Sequence, residues 1–277
     1  MPLEGRELRG EGNCIVPRSP SRHARAEREQ HMPGLRAVLF DLGGTLWEWH
    51  PGLTPEGMFT TVAPRAIRLL SAEQAALVTP ESLARAVRRS YLELEHAACR
   101  GDTSPMPVEL VARRGLASLG VTVQPATAEA ILDALYISER KTTRLLPFAG
   151  DALAALSASN FRLGIVSNRM NGGERLRDDL TYFGIGYLFS TIVTSAEVGH
   201  MKPHPALFRR ALEELDLSPQ EAVMVGDDLC CDVQGALDSG LQAVWVRRPP
   251  DRLDSPPAGV PSIRSLDELP AVIDALR

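Results

Sequence analysis

The stretch Ala37-Val38-Leu39-Phe40-Asp41-Leu42-Gly43-Gly44-Thr45 decides the fold. Its four consecutive apolar residues read as a strand buried on both faces, because a half-exposed strand would alternate with polar residues. The strand closes on a carboxylate and two glycines. Runs of the same kind recur at Leu163–Val166, Ala222–Val225 and Ala243–Val246, with a shorter β-rich run at Thr191–Thr194. Helical patterns fill the intervals at Asp151–Ala158, Glu174–Phe183, Pro205–Leu215 and Asp232–Ser239. Ser218-Pro219-Gln220-Glu221 and Ser265-Leu266-Asp267-Glu268 read as capping boxes. Buried strands alternating with helices are the sequence form of an α/β protein with a doubly wound parallel sheet.

The first strand and the second are separated by far more chain than one crossover helix needs. From about Trp49 to Leu145 there is no strand run. Glu81–Cys99 places Leu83, Val87, Tyr91 and Leu94 on one face, and Val108–Leu119 and Ala128–Arg140 continue the helical pattern. The expected organisation is a core of residues 35–50 and 146–277, with a helical cap at 51–145 inserted after strand one. Residues 1–34 read as an N-terminal extension that is disordered or lies upstream of a true start at Met32. Up to Arg36 it holds seven Arg and five Glu, with few large apolar residues. It lacks the apolar core of a signal peptide.

Composition narrows the function classes. The 277 residues are 44% hydrophobic and 23% charged, as in ordinary globular chains. No run approaches the ~18 apolar residues of a membrane span, so a membrane partner is not expected. A net charge of -5 argues against nucleic acid, whose binding surfaces are basic. Cys14, Cys99, Cys230 and Cys231 form neither a CxxC pair nor a disulfide framework. They are expected to be reduced, with Cys230 and Cys231 packing rather than reacting, in a cytoplasmic protein. The cations divide unevenly into 28 Arg and two Lys, Lys141 and Lys202. A GC-rich coding bias explains the excess of Arg, and under it a surviving lysine is notable, since the two side chains are not interchangeable.

Four polar features stand at strand ends: Asp41 to Thr45 after the first strand, Ser167-Asn168 after the second, Lys202-Pro203 after the third, and Gly226-Asp227-Asp228 with Asp232 after the fourth. In an open α/β sheet the carboxyl ends of the strands form the ligand crevice, so these four converge. Together they suit phosphoryl transfer. A strand-end carboxylate can attack phosphorus. Asp41 and Asp227 make a hard oxygen site suited to Mg²⁺. Lys202 and Ser167 can neutralise and orient the transferring oxygens, and Asp232, five residues after Asp227, can hold Lys202 in place.

The ordered motifs FDLGGTL, IVSN, GHMKP and VGDDLCCD resemble those of the haloacid dehalogenase-like hydrolase superfamily, over roughly residues 35–250. The resemblance implies a Rossmann-like core with a helical cap of the kind inserted between the first two motifs. It implies Asp41 as nucleophile, with Ser167, Asn168 and Lys202 as phosphate-binding groups. Mg²⁺ would be held by Asp41, Asp227 and the backbone carbonyl of Gly43, with Asp228, Asp232 and Thr45 supporting them. The implied substrate is a small phosphorylated metabolite.

One position departs from the family. Its phosphatases usually carry a second Asp two residues after the nucleophile, acting as general acid and then base, and here that position is Gly43. Loss of such a group typically removes ~10²–10⁴-fold in rate. Four readings follow: a phosphatase that tolerates the gap through its leaving group, a substrate proton or a residue entering from the cap; a dehalogenase, whose halide needs no proton; a phosphonate-cleaving enzyme, with Lys141 as the only candidate Schiff base; and a phospho-ligand-binding protein without turnover. Retention of Asp227-Asp228 favours phosphate. Trp47, Trp49 and His50 either shape the mouth of the site or pack beneath the cap. Arg65, Arg68, Arg113, Arg114 and Arg144 read as a solvated face, and His200 and His204 as loop residues.

Overall fold

The computed structural model describes residues 34–248 and 255–277. The first strand, β1 (Ala37–Phe40), is followed by β2 (Trp47–Trp49) and five helices: α1 (Pro55–Ile67), α2 (Ala72–Ala75), α3 (Pro80–Cys99), α4 (Glu109–Ala117) and α5 (Pro125–Ala134). Strand β3 (Thr143–Leu145) returns the chain to β2. The chain then runs through α6 (Ala149–Ala158), β4 (Arg162–Ser167), α7 (Gly173–Tyr182), β5 (Phe189–Thr194), α8 (Ser195–Val198), α9 (Pro205–Leu215) and β6 (Ala222–Gly226). It ends with α10 (Gly235–Asp238), β7 (Gln242–Val246), β8 (Ser262–Ile263) and α11 (Leu269–Ala275).

Six strands form one parallel sheet in the order β5-β4-β1-β6-β7-β8. The expected doubly wound, Rossmann-like α/β fold is the one present. The chain builds outward from β1 to β5 on one side and then to β8 on the other, so β1 lies at the point where the strand order reverses. Phe40 pairs with both Ile165 and Val225, which brings the carboxyl ends of β1, β4 and β6 side by side. Alternate residues of β1 serve opposite faces. Val38 and Phe40 join the cluster of α6, α7 and α11, while Ala37 and Leu39 join that of α9 and α10. Both faces are covered, which is why all four residues are apolar.

The inserted helices bury a separate cluster, in which Val87, Leu94, Leu116 and Ile131 meet Met201 from the loop after β5. Thr79 starts α3 with a capping box closed by Ser82 and Pro80 in the first turn. The antiparallel pair β2 and β3 lies where the helical insertion leaves and rejoins the core. The helix expected to reach Arg140 stops at Ala134. Beyond it Tyr136 Oη, Ser138 Oγ and the Glu139 amide all donate to the Asp179 carboxylate on α7, a set of bonds a continued helix would not allow. The helix expected at Asp232–Ser239 opens instead as a π-helical turn, Leu229–Gln234, before α10. Both capping boxes are present.

No helix among the described residues is long and apolar enough to cross a membrane. The extension at 1–34, apart from Gly34, and Cys14 lie outside the described residues.

Candidate active site

Lys202 organises the site. Its ammonium donates to Asp41 Oδ1 at 2.7 Å, Asp232 Oδ1 at 2.6 Å and the carbonyl of Val166 at 2.8 Å, so all three protons are placed. The side chain is 2% exposed. Burial alone pushes such an ammonium toward neutrality, but the Asp232 and Asp41 carboxylates outweigh it and hold Lys202 well above the ordinary lysine range. A forked guanidinium does not fit three acceptors around one point, which accounts for a lysine surviving in an arginine-rich chain. Lys141, the other lysine, is exposed and does not line the cavity over the site.

Asp41 leaves β1 with its amide still bonded to the Val225 carbonyl at 3.0 Å. Ser167, the last residue of β4, donates its hydroxyl to Asp41 Oδ1 at 3.0 Å. Both side-chain donors therefore fall on Oδ1, and Oδ2 has no protein donor among the described residues. Asp227, just past β6, accepts from Thr45 Oγ1 at 3.2 Å. Gly44 sits at φ +77°, and a Cβ there would lie 2.1 Å from Asp227 Oδ2, so only glycine lets the two loops approach this closely. Asp232 is fully engaged: Oδ1 holds Lys202, and Oδ2 accepts the Asp228 amide at 3.1 Å. Asp228 Oδ1 accepts the amides of Cys230 and Cys231 and so caps the π-helical turn.

The donor set fits a divalent cation. Ligand oxygens of Asp41, Asp227 and Asp232 lie within 4.8 Å of one another, and these three carboxylates face one ammonium. Burial, with the neighbouring Asp41 charge, pushes Asp227 up to about 7, so the group lacks positive charge. With Asp232 engaged by Lys202, the oxygens left for a cation belong to Asp41 and Asp227.

Asn168 uses its amide to brace the loops. Its Oδ1 accepts the Lys202 amide at 2.7 Å, and its Nδ2 donates to the Lys202 carbonyl and to Glu95 Oε1 at 3.1 Å. Glu95 belongs to α3, and its neighbour one turn earlier, Tyr91, donates to the Asn168 carbonyl at 3.1 Å. Arg88, Tyr91, Glu95 and Cys99 are spaced to fall on one stripe of α3 facing the core. The sequence reading placed Tyr91 with the apolar face and did not single out Glu95; the i, i+4, i+8 spacing of Tyr91, Glu95 and Cys99 is the signal that marks the stripe.

The sulfurs correct one expectation. Cys99, at the end of α3, forms a disulfide with Cys230 in the turn after β6, and the buried Cys231 Sγ lies 3.6 Å from Cys99 Sγ. A separation of 131 residues gives no hint of this, because only the packing of α3 over that turn brings the two together.

A cavity of about 630 Å³ lies between the strand ends and α3, within the size range of small-molecule sites. Asp41, Gly43, Lys202 and Asp227 line it from the core, and Arg88, Tyr91 and Glu95 from the insertion. Trp47 is buried and Arg169 lies over its ring at 5.8 Å; Trp49 is 44% exposed at the rim. Arg65, Arg68, Arg113, Arg114 and Arg144 are all exposed. His200 and His204 stack at 3.8 Å in the loop leading into α9, which His204 caps.

The family described as haloacid dehalogenase-like hydrolase matches residues 80–246. A phosphoserine phosphatase from Thermus thermophilus is 34% identical over 248 residues, covering 86% of this chain and 92% of its own. The chain belongs to the haloacid dehalogenase-like hydrolases. A glyceraldehyde 3-phosphate phosphatase from Methanopyrus kandleri is 30% identical, covering 77% of this chain and 84% of its own. Among solved structures, a phosphatase of this superfamily from Thermococcus onnurineus matches 86% of this hydrolase and 98% of its own chain, with TM-score 0.55 and 27% identity. A 2-haloacid dehalogenase from Pseudomonas syringae shares the fold at TM-score 0.58 and 23% identity, covering 88% of this hydrolase and all of its own chain.

Proposed function

We propose that this hydrolase is a Mg²⁺-dependent phosphatase acting on a small phosphorylated metabolite through an aspartyl-phosphate on Asp41. The observation that carries the reading is the asymmetry of the Asp41 carboxylate. Lys202 and Ser167 both bind Oδ1 and fix the group in place. Oδ2 is left to attack phosphorus. The named activities of the Thermus and Methanopyrus relatives, both phosphatases, support the same class.

In this mechanism Asp41 displaces the leaving oxygen, and Lys202 with Ser167 stabilises the charge on the transferring phosphoryl oxygens. Asp232 keeps Lys202 charged and aimed, and Asn168 fixes the backbone from which Lys202 projects. Asp41, Asp227 and the Gly43 carbonyl would hold Mg²⁺, supported by Thr45 and, through the turn it caps, Asp228. When bound, the ion supplies positive charge to the phosphoryl oxygens. Water then hydrolyses the aspartyl-phosphate. The inserted helices act as the cap that encloses the reaction.

The test is phosphate release from a panel of alkyl, aryl and acyl phosphates, with Mg²⁺ and with chelator. Release that requires Mg²⁺ and disappears in Asp41→Asn is expected. No release from any substrate, or activity unchanged in Asp41→Asn, would refute the reading. Halide release from 2-haloacids in chelator would mark a dehalogenase instead.

A further inference from the structure

We propose that Glu95, carried over the site by α3, is the proton-transfer group that the nucleophile loop lacks. The inference rests on the phosphatase reading and adds a residue to it. The family's usual acid–base position is Gly43. Its backbone is not in the left-handed region, and a Cβ built there meets nothing within 4 Å. Space for a side chain is present, but no group of the loop fills it.

Most acidic groups lining the cavity already hold partners. Asp41, Asp227 and Asp232 surround Lys202 or Thr45. Asp228 caps its own turn. Glu139 pairs with Arg169, and Glu48 with Arg144. Glu95 is left. Among the described residues it has no cationic partner within salt-bridge distance, and its one hydrogen bond comes from Asn168 to Oε1. Oε2 remains without a protein partner. Among the described residues no histidine lines the cavity, and the Tyr91 hydroxyl is already committed to the Asn168 carbonyl.

Its surroundings favour the protonated form. Burial raises Glu95 above the ordinary carboxylate range, and the Asp228 charge adds to this. The Asn168 hydrogen bond, Lys202 and Arg88 oppose it without reversing it. Cys231 and Tyr91, the other titratable neighbours, are both raised by burial and remain neutral. The upward shift runs in the direction a general acid needs, and the unpartnered Oε2 facing the cavity gives the proton a route to the leaving oxygen.

Asp41 Oδ2 bonds to phosphorus as the ester P–O bond breaks, and the Glu95 proton passes to the leaving oxygen to give the free alcohol. In the second half the Glu95 carboxylate takes a proton from the attacking water. The P–O bond to Asp41 then breaks, inorganic phosphate leaves, and Glu95 is again protonated.

Glu95→Gln tests this with two leaving groups. For an alkyl phosphate, kcat/KM should fall by about 10²-fold or more. For 4-nitrophenyl phosphate, whose leaving group needs no proton, kcat/KM should match the wild type. Its kcat should drop, with a burst of one nitrophenolate per site, because the aspartyl-phosphate persists. Adding Gly43→Asp to Glu95→Gln should restore alkyl-phosphate turnover. In the wild type, kcat/KM should depend little on leaving-group pKa, a measurement that needs no variant. The proposal is overturned if Glu95→Gln keeps wild-type turnover of alkyl phosphates, if it slows both substrates equally in the first turnover, or if the wild type shows a steep leaving-group dependence. A wild type that hydrolyses none of these phosphates refutes the phosphatase reading itself.

Discussion

Two regions meet in the cavity, and they are built by different means. The core side is a set of strand ends. Asp41, Ser167 and Asp227 are delivered by β1, β4 and β6, whose parallel register fixes them side by side, and Lys202 reaches in from the loop after β5 to join three acceptors. The helical side is a stripe of α3, where Arg88, Tyr91, Glu95 and Cys99 are placed only by how that helix packs. Tyr91 and Glu95 meet the core at Asn168, and Cys99 is bonded to the turn after β6. On the core side the charges close on Lys202, whose ammonium is bonded to core groups alone. A stripe held by one amide and one sulfur bridge can change its chemistry without rebuilding the core.

The two sides can be perturbed separately, in graded steps. Removing Lys202 should do most damage, since Lys202→Ala leaves Asp41 and Asp232 as uncompensated buried charges. It should lose about 3–5 kcal/mol of stability in urea titrations and about 10²–10³-fold in kcat. Stability falling by less than this would show that the network is not held by Lys202. The sulfur bridge comes next. Cys99→Ser should lower stability by about 2–4 kcal/mol relative to the oxidised wild type, with Cys230→Ser giving the same loss and the double variant no more than either. Additive losses would mean the two sulfurs act separately.

A smaller effect is electrostatic. Asp227 binds its proton more tightly folded than unfolded, with the folded value about 7. In chelator its contribution to stability is therefore full below the unfolded value and is lost as pH rises through about 7. Asp227→Asn should flatten that decline, and Mg²⁺ should reverse it for the wild type but not for the variant. A stability curve unchanged by Asp227→Asn would contradict the charge excess at this site. The smallest change is Tyr91→Phe, which removes one hydrogen bond from α3 to Asn168 and should cost about 1 kcal/mol.

The same division explains what could be read from sequence. Phe40 followed by Asp41, or Val166 followed by Ser167, marks a buried strand and the polar residue at its end, and the sheet then guarantees that such residues converge. Lys202 stood out because an arginine-rich chain kept a lysine there. The helical side carries only the weaker i, i+4, i+8 spacing of Tyr91, Glu95 and Cys99. Glu95 looks like any glutamate of an exposed face until α3 is laid over Asn168, and Cys99 and Cys230 are joined by packing across the whole insertion. Helix α5 ends short of its periodic pattern because the Tyr136–Glu139 segment is drawn to Asp179 on α7, a tertiary contact that overrides helical periodicity. Local pattern locates what regular backbone positions, and packing decides the rest.

Rapid quenching in acid during turnover reads the covalent role of Asp41 itself. Mass spectrometry of the digested protein should find one phosphoryl group on the peptide containing Asp41, appearing before free phosphate and absent from Asp41→Asn. Steady phosphate release with no phosphorylated Asp41 at any quench time would contradict the account.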